Sequence, residues 1–264
     1  MSLATKLRFA VTLVFMTVGS IVMLVVAILT GSLARRFYSE VLARALGAGI
    51  LWIWGVRLRV HGAPQPERVQ TIYVSNHTST IDLFALIALG LPRTRFFLSG
   101  FLKKFVPLGI VGSLIRVFWT VPQEYPDERR RIFKRADRIL RETGDSVYLS
   151  PEGMRVTTGE IGHFNKGSFH LATSLHAPIV PMYFAIPAGM DPGMGYNAKP
   201  GTIDLHFLPP IDTSCWVVTD VERNRDAVRD LFVRVHDAIR TIGRLPASLS
   251  IESPPAADRE EVFA

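Results

Sequence analysis

Two patterns of hydrophobic and polar positions along the chain separate the predicted strands from the predicted helices. Short apolar segments rich in β-branched residues, each bounded by glycine, proline or polar clusters, predict strands. Because helical patterns alternate with them, the sequence predicts an α/β fold in which helices flank a mainly parallel central sheet. The predicted strands are Arg57–Val60, Thr71–Ser75, Arg95–Leu98, Val117–Val121, Ser146–Ser150, Ile179–Ala185 and Thr202–Leu208.

The predicted helices carry apolar residues at three- and four-residue spacing. The clearest is Pro126–Thr143, which begins with proline and two acidic residues and is followed by Gly144, a residue type that often ends helices. Another amphipathic helix follows Thr219 and Glu222, whose spacing matches a capping box, and it is expected to end at Gly243. Shorter helices are predicted over Ile81–Leu89 and Phe169–Leu175.

The N-terminal segment is apolar over a length that suits a membrane. Phe9–Thr30 contains no charged residue, and at ~1.5 Å per residue such a helix can cross a hydrocarbon core of ~30 Å. A second apolar segment, Val41–Val56, carries Trp52 and Trp54, and tryptophan favours the membrane–water interface. We therefore predict a membrane-binding element of two helices over residues 1–58. A true span and a cleaved signal peptide are the alternatives.

The rest of the chain is expected to form one domain over residues 59–245, since no repeats or domain-scale linkers interrupt it. Residues 246–264 are rich in proline, alanine, serine and acidic residues, a composition that predicts a disordered tail.

Composition and charge narrow the choice of partners. Hydrophobic residues make up 48% of the 264 residues, which fits a globular domain combined with a membrane-facing part. The formal net charge of +7 suits nucleic acid, anionic lipid or phosphorylated substrates. No nucleic-acid-binding motif occurs, so lipid is the expected partner. The single cysteine, Cys215, excludes an internal disulfide, and neither a metal site nor a tightly bound cofactor is expected.

The segment Asn76–Asp82 (NHTSTID) is the most informative for chemistry, because it joins a predicted strand to a predicted helix. In open α/β sheets, ligands bind beyond the carboxyl ends of strands. His77 is a candidate general base there, and Asp82 could fix its tautomer by holding the other ring nitrogen. Residues five apart in a helix point ~140° apart, so His77 must lie in the turn before the helix. Alone, this spacing is weak, and a histidine that caps the helix is the alternative.

Further motifs follow in order, and the set resembles the glycerophospholipid acyltransferase family from about residue 70 to residue 185. The resemblance implies transfer without an acyl-enzyme: His77, oriented by Asp82, takes the proton of an acceptor hydroxyl that attacks a thioester. Donors near the turn are expected to stabilise the developing oxyanion. The matching segments, besides that of His77, are Val106–Gly112 (VPLGIVG), Ser150–Arg155 (SPEGMR), Phe164–Phe169 (FNKGSF) and Ala177–Met182 (APIVPM).

The Ser150–Arg155 turn contains three candidate substrate-binding residues, Glu152, Gly153 and Arg155. Glycine allows close approach of the backbone to a ligand, arginine can bind a phosphate through two N–H groups, and glutamate can orient the arginine or the acceptor hydroxyl. Lys103 and Lys104 can add positive charge to a headgroup site, or they belong to a solvated loop.

Two positions depart from the family pattern. Met154 stands where the family usually has threonine, and the arginine that usually ends the second motif is missing near Val117–Gln123. Arg116 lies nearby in sequence but does not match by position. The hydrophobic segment Val106–Ile115 has three possible roles: it lines an acyl-chain channel, contacts the membrane or packs in the core.

The resemblance implies a membrane-associated O-acyltransferase. The first acceptor to expect is lysophosphatidate, giving phosphatidate in phospholipid biosynthesis, with acyl-CoA or acyl carrier protein as the acyl donor. Another lysophospholipid, an amino-acid lysolipid or a glycolipid is the alternative acceptor; a lipid esterase and a non-catalytic lipid-binding protein are alternatives of other classes. The expected partners are the lipid bilayer, the acceptor and the donor, and not nucleic acid. The expected location is the inner or cytoplasmic membrane, with the active site facing the cytoplasm.

Overall fold

The computed structural model describes residues 2–187, 189–190, 198–243 and 245. The α-helices are α1 (Leu3–Leu29), α2 (Arg35–Phe37), α3 (Arg44–Ile53), α4 (Ile81–Leu89), α5 (Val106–Leu114), α6 (Pro126–Thr143), α7 (Gly167–Leu175) and α8 (Val221–Ile242). The strands are β1 (Val56–His61), β2 (Ile72–Ser75), β3 (Thr94–Ser99), β4 (Phe118–Thr120), β5 (Ser146–Leu149), β6 (Ile179–Ala185) and β7 (Gly201–Phe207). A π-helical segment, Tyr38–Ala43, joins α2 to α3, and two 3₁₀ helices are Gly100–Lys104 and Val218–Asp220.

The seven strands form one sheet in the order β1-β7-β6-β2-β5-β3-β4. Neighbouring strands are parallel except β6 and β7, which pair antiparallel. The predicted mainly parallel α/β fold is therefore confirmed. The carboxyl ends of β2, β3, β4, β5 and β6 meet at one edge of the sheet, called here the carboxyl edge, and their first residues lie at the opposite, amino edge.

Helices cover both faces of the sheet. Successive side chains of a strand point to opposite faces, and here both sets are apolar. In β2, Ile72 and Val74 belong to the core beneath α6, α7 and α8, whereas Tyr73 belongs to the core beneath α1, α3, α4 and α5. These three side chains are at most 1% exposed. The end of β2 therefore lies between the two helical layers, and the residues that follow β2 can reach either face of the sheet.

Helix ends follow the sequence signals in α6 but not at the start of α8. Gly144 ends α6 with a left-handed backbone (φ 63°), as expected. The predicted capping box of Thr219 and Glu222 does not form: Thr219 lies in a 3₁₀ turn, Asp220 is the N-cap, and no side-chain cap hydrogen bond is made. The Glu222 carboxylate pairs with the Lys166 ammonium instead.

Helix α1 is the only helix, within the described residues, that is long and apolar enough to cross a membrane. Its buried residues include Thr12, Ser20 and Ala27, and the helix packs on α3 and α5. The Trp54 indole N–H donates to the Thr12 hydroxyl at 2.9 Å. Most of the predicted element, from Leu3 to Ile53, is thus helical and shares a core with the sheet. The expected boundary at 58 falls inside β1, and residues 246–264, predicted to be a disordered tail, lie outside the described residues.

An ion-pair cluster fastens the segment after α1 to the amino edge of the sheet. The two oxygens of Asp145 accept N–H groups from Arg35 at 2.6 Å and from Arg95 at 2.8 Å. Burial lowers the pKa of Arg35, and the positive charges of Arg95 and Arg116 lower it further against the opposing effect of Asp145. The Arg35 guanidinium is therefore engaged inside the protein, where it balances the negative charge of Asp145.

Candidate active site

His77 and Asp82 meet at the carboxyl edge, as their spacing required. Strand β2 ends at Ser75 and α4 begins at Ile81, so His77 lies in the turn between them. The His77 Nδ1 and Asp82 Oδ2 atoms are 2.8 Å apart. The Asp82 side chain is 5% exposed and that of His77 is 30% exposed. The carboxylate is therefore buried behind an imidazole that a substrate can reach.

The Asp82 carboxylate also shapes the turn that carries His77. Its Oδ2 atom accepts the backbone N–H groups of Thr78 and Ser79, each at 3.1 Å. The Ser79 hydroxyl accepts the N–H of Ile81 at 2.9 Å. These three N–H groups are hydrogen-bonded within the turn. The expected oxyanion donors near the turn stay a prediction.

The contact with Asp82 assigns the tautomer and the basicity of His77. A carboxylate accepts a hydrogen bond, so Nδ1 carries the proton and Nε2 keeps its lone pair. Burial alone lowers the pKa of His77, but the charge and hydrogen bond of Asp82, with the charge of Glu152, outweigh it and raise the pKa above its usual value. The ring is thus suited to accept a proton at Nε2.

Asn76 fixes the end of β2 to its neighbour β6. Its side-chain amide donates to the carbonyl of Phe184 at 3.0 Å, and its Oδ1 accepts the N–H of Phe184 at 2.8 Å. On the other side, the hydroxyls of Ser75 and Tyr148 are hydrogen-bonded at 2.8 Å. Sequence reasoning gave none of these residues a role, although an asparagine at a strand end beside the motif was a usable signal.

Glu152 supports His77 from a second loop. It is 3% exposed. Its Oε2 accepts the backbone N–H of His77 at 2.6 Å, and its Oε1 accepts that of Gly162 at 2.8 Å. Burial raises the pKa of this carboxyl despite both hydrogen bonds. We expected Glu152 to orient Arg155 or the acceptor hydroxyl; instead its oxygens hold backbone, which makes it a positioning residue for His77.

Gly153 is required by the protein's own packing. Its φ is +72°, and an added Cβ would lie 2.8 Å from Nδ2 of Asn165. The same Asn165 amide donates to the carbonyls of Pro151 at 3.0 Å and Glu152 at 3.1 Å. The Cβ side of Gly153 therefore faces Asn165, whose role was missed. The expected approach of a ligand to Gly153 stays a prediction.

Arg155 lies on the solvent side of the His77 turn. Its guanidinium donates from Nη1 to the hydroxyl of Thr80 at 2.6 Å, and it is exposed. Its positive charge is felt at His77, whose pKa it lowers against the larger effect of Asp82. Arg155 is thus an exposed cation close to the base. The neighbouring Met154 is 60% exposed.

The remaining candidate cations divide between the two edges of the sheet. Lys103 and Lys104 are exposed at the carboxyl edge, in the 3₁₀ helix after β3, with their ammonium groups over the rings of Trp119 (5.4 Å) and Phe101 (5.3 Å). Arg116 precedes β4, which is parallel to β3, and it contributes to the electrostatics of Arg35 at the amino edge. Arg116 therefore does not replace the missing motif arginine.

An apolar cavity of about 140 Å³ begins beside the His77 turn, at Thr80 and Ile81. A smaller cavity of about 50 Å³ follows along α5. The segment Val106–Ile115 takes part in both, through Pro107 and Leu108 in each and through Val111, Gly112 and Ile115 in the smaller one. Helix α1 supplies a wall through Phe9, Thr12, Leu13 and Met16. No cluster of metal-ligating side chains occurs within the described residues.

Comparison with known proteins identifies the family. Residues 57–185 match the family model Acyltransferase. A 1-acyl-sn-glycerol-3-phosphate acyltransferase of Limnanthes douglasii is 27% identical over 246 residues, covering 86% of this chain and 79% of that protein. The alpha form from Homo sapiens is 27% identical over 206 residues, covering 74% and 69%.

A solved structure shares the fold. The crystal structure of the 1-acyl-sn-glycerophosphate (LPA) acyltransferase PlsC from Thermotoga maritima superposes with a TM-score of 0.70, covering 92% of this chain and 99% of that chain at 18% identity. Residues 57–185 are therefore an acyltransferase domain, and with its ordered motifs and the His77–Asp82 pair the chain is an acyltransferase similar to the 1-acyl-sn-glycerol-3-phosphate acyltransferases.

Proposed function

We propose that this acyltransferase transfers a fatty acyl group from a thioester donor to the free hydroxyl of lysophosphatidate, giving phosphatidate at a membrane surface. The observation that carries the proposal is the His77–Asp82 pair, with His77 partly exposed, in a turn whose following residues Thr80 and Ile81 line an apolar cavity. The curated relatives are named for acylation of 1-acyl-sn-glycerol 3-phosphate, which supports this acceptor.

The reaction requires one base and no covalent intermediate. His77 Nε2 accepts the hydroxyl proton as the acceptor oxygen bonds to the thioester carbonyl carbon. When the tetrahedral intermediate collapses, the carbon–sulfur bond breaks and the imidazolium returns the proton to the departing thiolate. Asp82 stabilises the imidazolium, and general-base assistance of this kind contributes ~10²–10⁴-fold. The mechanism needs no tightly bound cofactor.

Arg155 is the residue proposed to bind the acceptor phosphate. It is exposed beside Thr80, and a guanidinium can contact two phosphate oxygens at once. Lys103 and Lys104 add positive charge at the same edge of the sheet. Another lysophospholipid, an amino-acid lysolipid or a glycolipid remains the alternative acceptor, favoured by the absence of the second-motif arginine.

The apolar cavity is proposed to hold the acyl chain. It starts at Thr80, next to the catalytic turn, and its walls are almost entirely hydrocarbon from α1, α3, α4 and the start of α5. A chain that enters it would place its carbonyl near His77. Gly112 borders the smaller cavity. An added Cβ at this position would lie 2.4 Å from the Trp119 ring.

Helix α1 is proposed to lie in one leaflet of the inner or cytoplasmic membrane without crossing it. Buried positions from Thr12 to Ala27 run along the domain, so most of the helix length is held beside α3 and α5. Its other side exposes apolar residues, among them Leu7, Val14 and Ile28, to at least 63%. The active site then faces the cytoplasm, where acyl-CoA and acyl carrier protein, the two candidate donors, are available.

The proposal is tested by acyl transfer with purified protein in mixed micelles, using acyl-CoA and acyl carrier protein against a panel of lysolipid acceptors. We expect product from lysophosphatidate and its loss by at least about a hundredfold in His77→Ala. His176→Asn is the matched control, because it removes an exposed histidine at the end of α7, where a left-handed backbone tolerates asparagine. Normal turnover by folded His77→Ala contradicts the mechanism.

The acceptor panel separates the alternatives. Product from another lysolipid only would replace the acceptor and keep the chemistry. Free fatty acid released without any acceptor would indicate an esterase, and binding without turnover would indicate a lipid-binding protein.

A further inference from the structure

A second cleft opens on the sheet face opposite the apolar cavity, between α6 and the beginning of α7. Its volume is about 650 Å³, a size typical of small-molecule sites. Basic side chains dominate its charged lining, which contains a single carboxylate within the described residues. The charged lining residues of this α6–α7 cleft are Arg129, Arg130, Lys134, Lys166, His170 and Asp137.

The positive charge of the α6–α7 cleft is only partly compensated. Lys166 pairs with Glu222, which is exposed and does not line the cleft. The one carboxylate, Asp137, pairs with Arg141 outside the cleft. Arg130 pairs with Asp127, but both side chains are at least 69% exposed, so solvent screens this contact strongly. Lys134 makes no ion pair within the part of the chain that the structure describes. Burial and the charge of Lys166 lower the pKa of His170, as expected in a positive environment.

The cleft is linked to the catalytic turn by two successive hydrogen bonds. Asn165 lines it and donates to the carbonyl of Glu152, and Glu152 in turn accepts the backbone N–H of His77. Helices α6 and α7 both begin at the carboxyl edge, because α6 follows β4 and α7 precedes β6. The positive ends of both helix dipoles therefore add to the basic side chains near this edge.

We propose that the α6–α7 cleft binds the phosphate groups of coenzyme A when acyl-CoA is the donor. The assignment rests on the proposed acyl transfer and names the donor that this site takes. Coenzyme A carries its negative charges at the nucleotide end and joins them to the thioester through a long, uncharged pantetheine arm. The donor then lies across the carboxyl edge, with its acyl chain in the apolar cavity, its thioester at His77 and its phosphates in the cleft.

A binding experiment tests the cleft without turnover. Free coenzyme A and pantetheine are titrated calorimetrically into protein in mixed micelles, with the wild type, Arg130→Gln/Lys134→Gln and the control Arg131→Gln/Arg138→Gln. The control removes two exposed arginines of the same helix that do not line the cleft. We expect coenzyme A to bind about tenfold more weakly to the cleft variant, and more weakly to the wild type as salt rises. Equal weakening in both variants overturns the proposal.

A kinetic experiment separates the cleft from the reaction itself. The ratio of KM for acyl-CoA to KM for the matching acyl-pantetheine is measured in the same three proteins. We expect this ratio to rise about tenfold in the cleft variant and to stay constant in the control. An unchanged ratio, or a loss seen only with acyl carrier protein as donor, refutes coenzyme A as the occupant. Cleft-dependent coenzyme A binding without acyl transfer to any acceptor would retain the cleft and refute the proposed function.

Discussion

Substitution of Asp82 can separate its negative charge from its role in shaping the catalytic turn. A single oxygen, Oδ2, accepts Nδ1 of His77 and the backbone N–H groups of Thr78 and Ser79. In Asp82→Asn those two backbone groups still need an acceptor, so they hold the amide oxygen in place and turn the NH₂ group away. His77 then keeps its proton on Nδ1 and loses only the neighbouring charge. Asp82→Ala loses all three contacts.

The size of the charge effect follows from Coulomb's law. The imidazolium formed during the reaction and the Asp82 carboxylate attract each other by about 4 kcal/mol, at a separation of about 4 Å and an effective dielectric constant of about 20. Partial exposure of His77 (30%) weakens this attraction. We therefore expect Asp82→Asn to lose about 2–4 kcal/mol of transition-state stabilisation, which lowers kcat/KM about 30- to 1000-fold. Asp82→Ala should approach the loss of His77→Ala.

The dependence of kcat/KM on pH gives an independent check. Asp82 raises the pKa of His77, and only neutral His77 can accept the hydroxyl proton. In the wild type, activity should therefore fall as pH drops through this raised pKa. Asp82→Asn lowers the pKa, so its acid limb should move to lower pH although its maximal rate is smaller.

Three results would refute this reasoning about Asp82. They are a smaller loss in Asp82→Ala than in Asp82→Asn, an acid limb that does not move, and a further loss when Asp82→Asn is added to His77→Ala. The last comparison works because a residue that acts through His77 has no effect once His77 is gone. Thermal unfolding of each variant identifies losses that are due to misfolding.

Two other sets of substitutions test the contacts that hold His77 in place and the membrane binding of α1. Glu152→Gln should lower the free energy of unfolding by about 1–3 kcal/mol, because the amide NH₂ faces one of the two backbone N–H groups that the carboxylate accepts; an unchanged denaturant midpoint would contradict that geometry. Val14→Gln/Val18→Gln, on the exposed side of α1, should weaken liposome binding roughly tenfold or more in a sedimentation assay. The exposed Val217→Gln on the other layer is the control, and equal loss in that variant would argue against a membrane-facing α1.

Local signals predicted most of the secondary structure and the central pair of the site. Strand and helix bounds differ little from those observed, because β-branched segments and amphipathic helices were separated by glycine and proline. The His77–Asp82 contact was also local, and it needed only a turn between β2 and α4. Helix α5 was not assigned as a helix, because its residues are apolar on all sides and include two glycines, so no period of 3.6 is visible.

Contacts between distant segments were beyond the sequence patterns. The Glu152 carboxylate reaches the backbone of His77, 75 residues earlier in the chain, and no spacing rule predicts such a partner. The contact between Gly153 and Asn165 likewise follows no spacing rule. The position of Arg116 was predictable in principle, since a residue that precedes a parallel strand cannot lie at the carboxyl edge with His77.

Helix α1 takes part in two proposed functions, membrane binding and acyl-chain binding, that the sequence suggested were separate. One side, with Phe9, Leu13 and Met16, walls the apolar cavity that begins beside His77, whereas the other side exposes apolar residues such as Val14 and Val18. In the proposed arrangement, the bilayer and the acyl chain therefore lie on opposite sides of one helix. Removal of the whole helix would therefore affect membrane binding and turnover together, and only substitutions confined to one side can distinguish them.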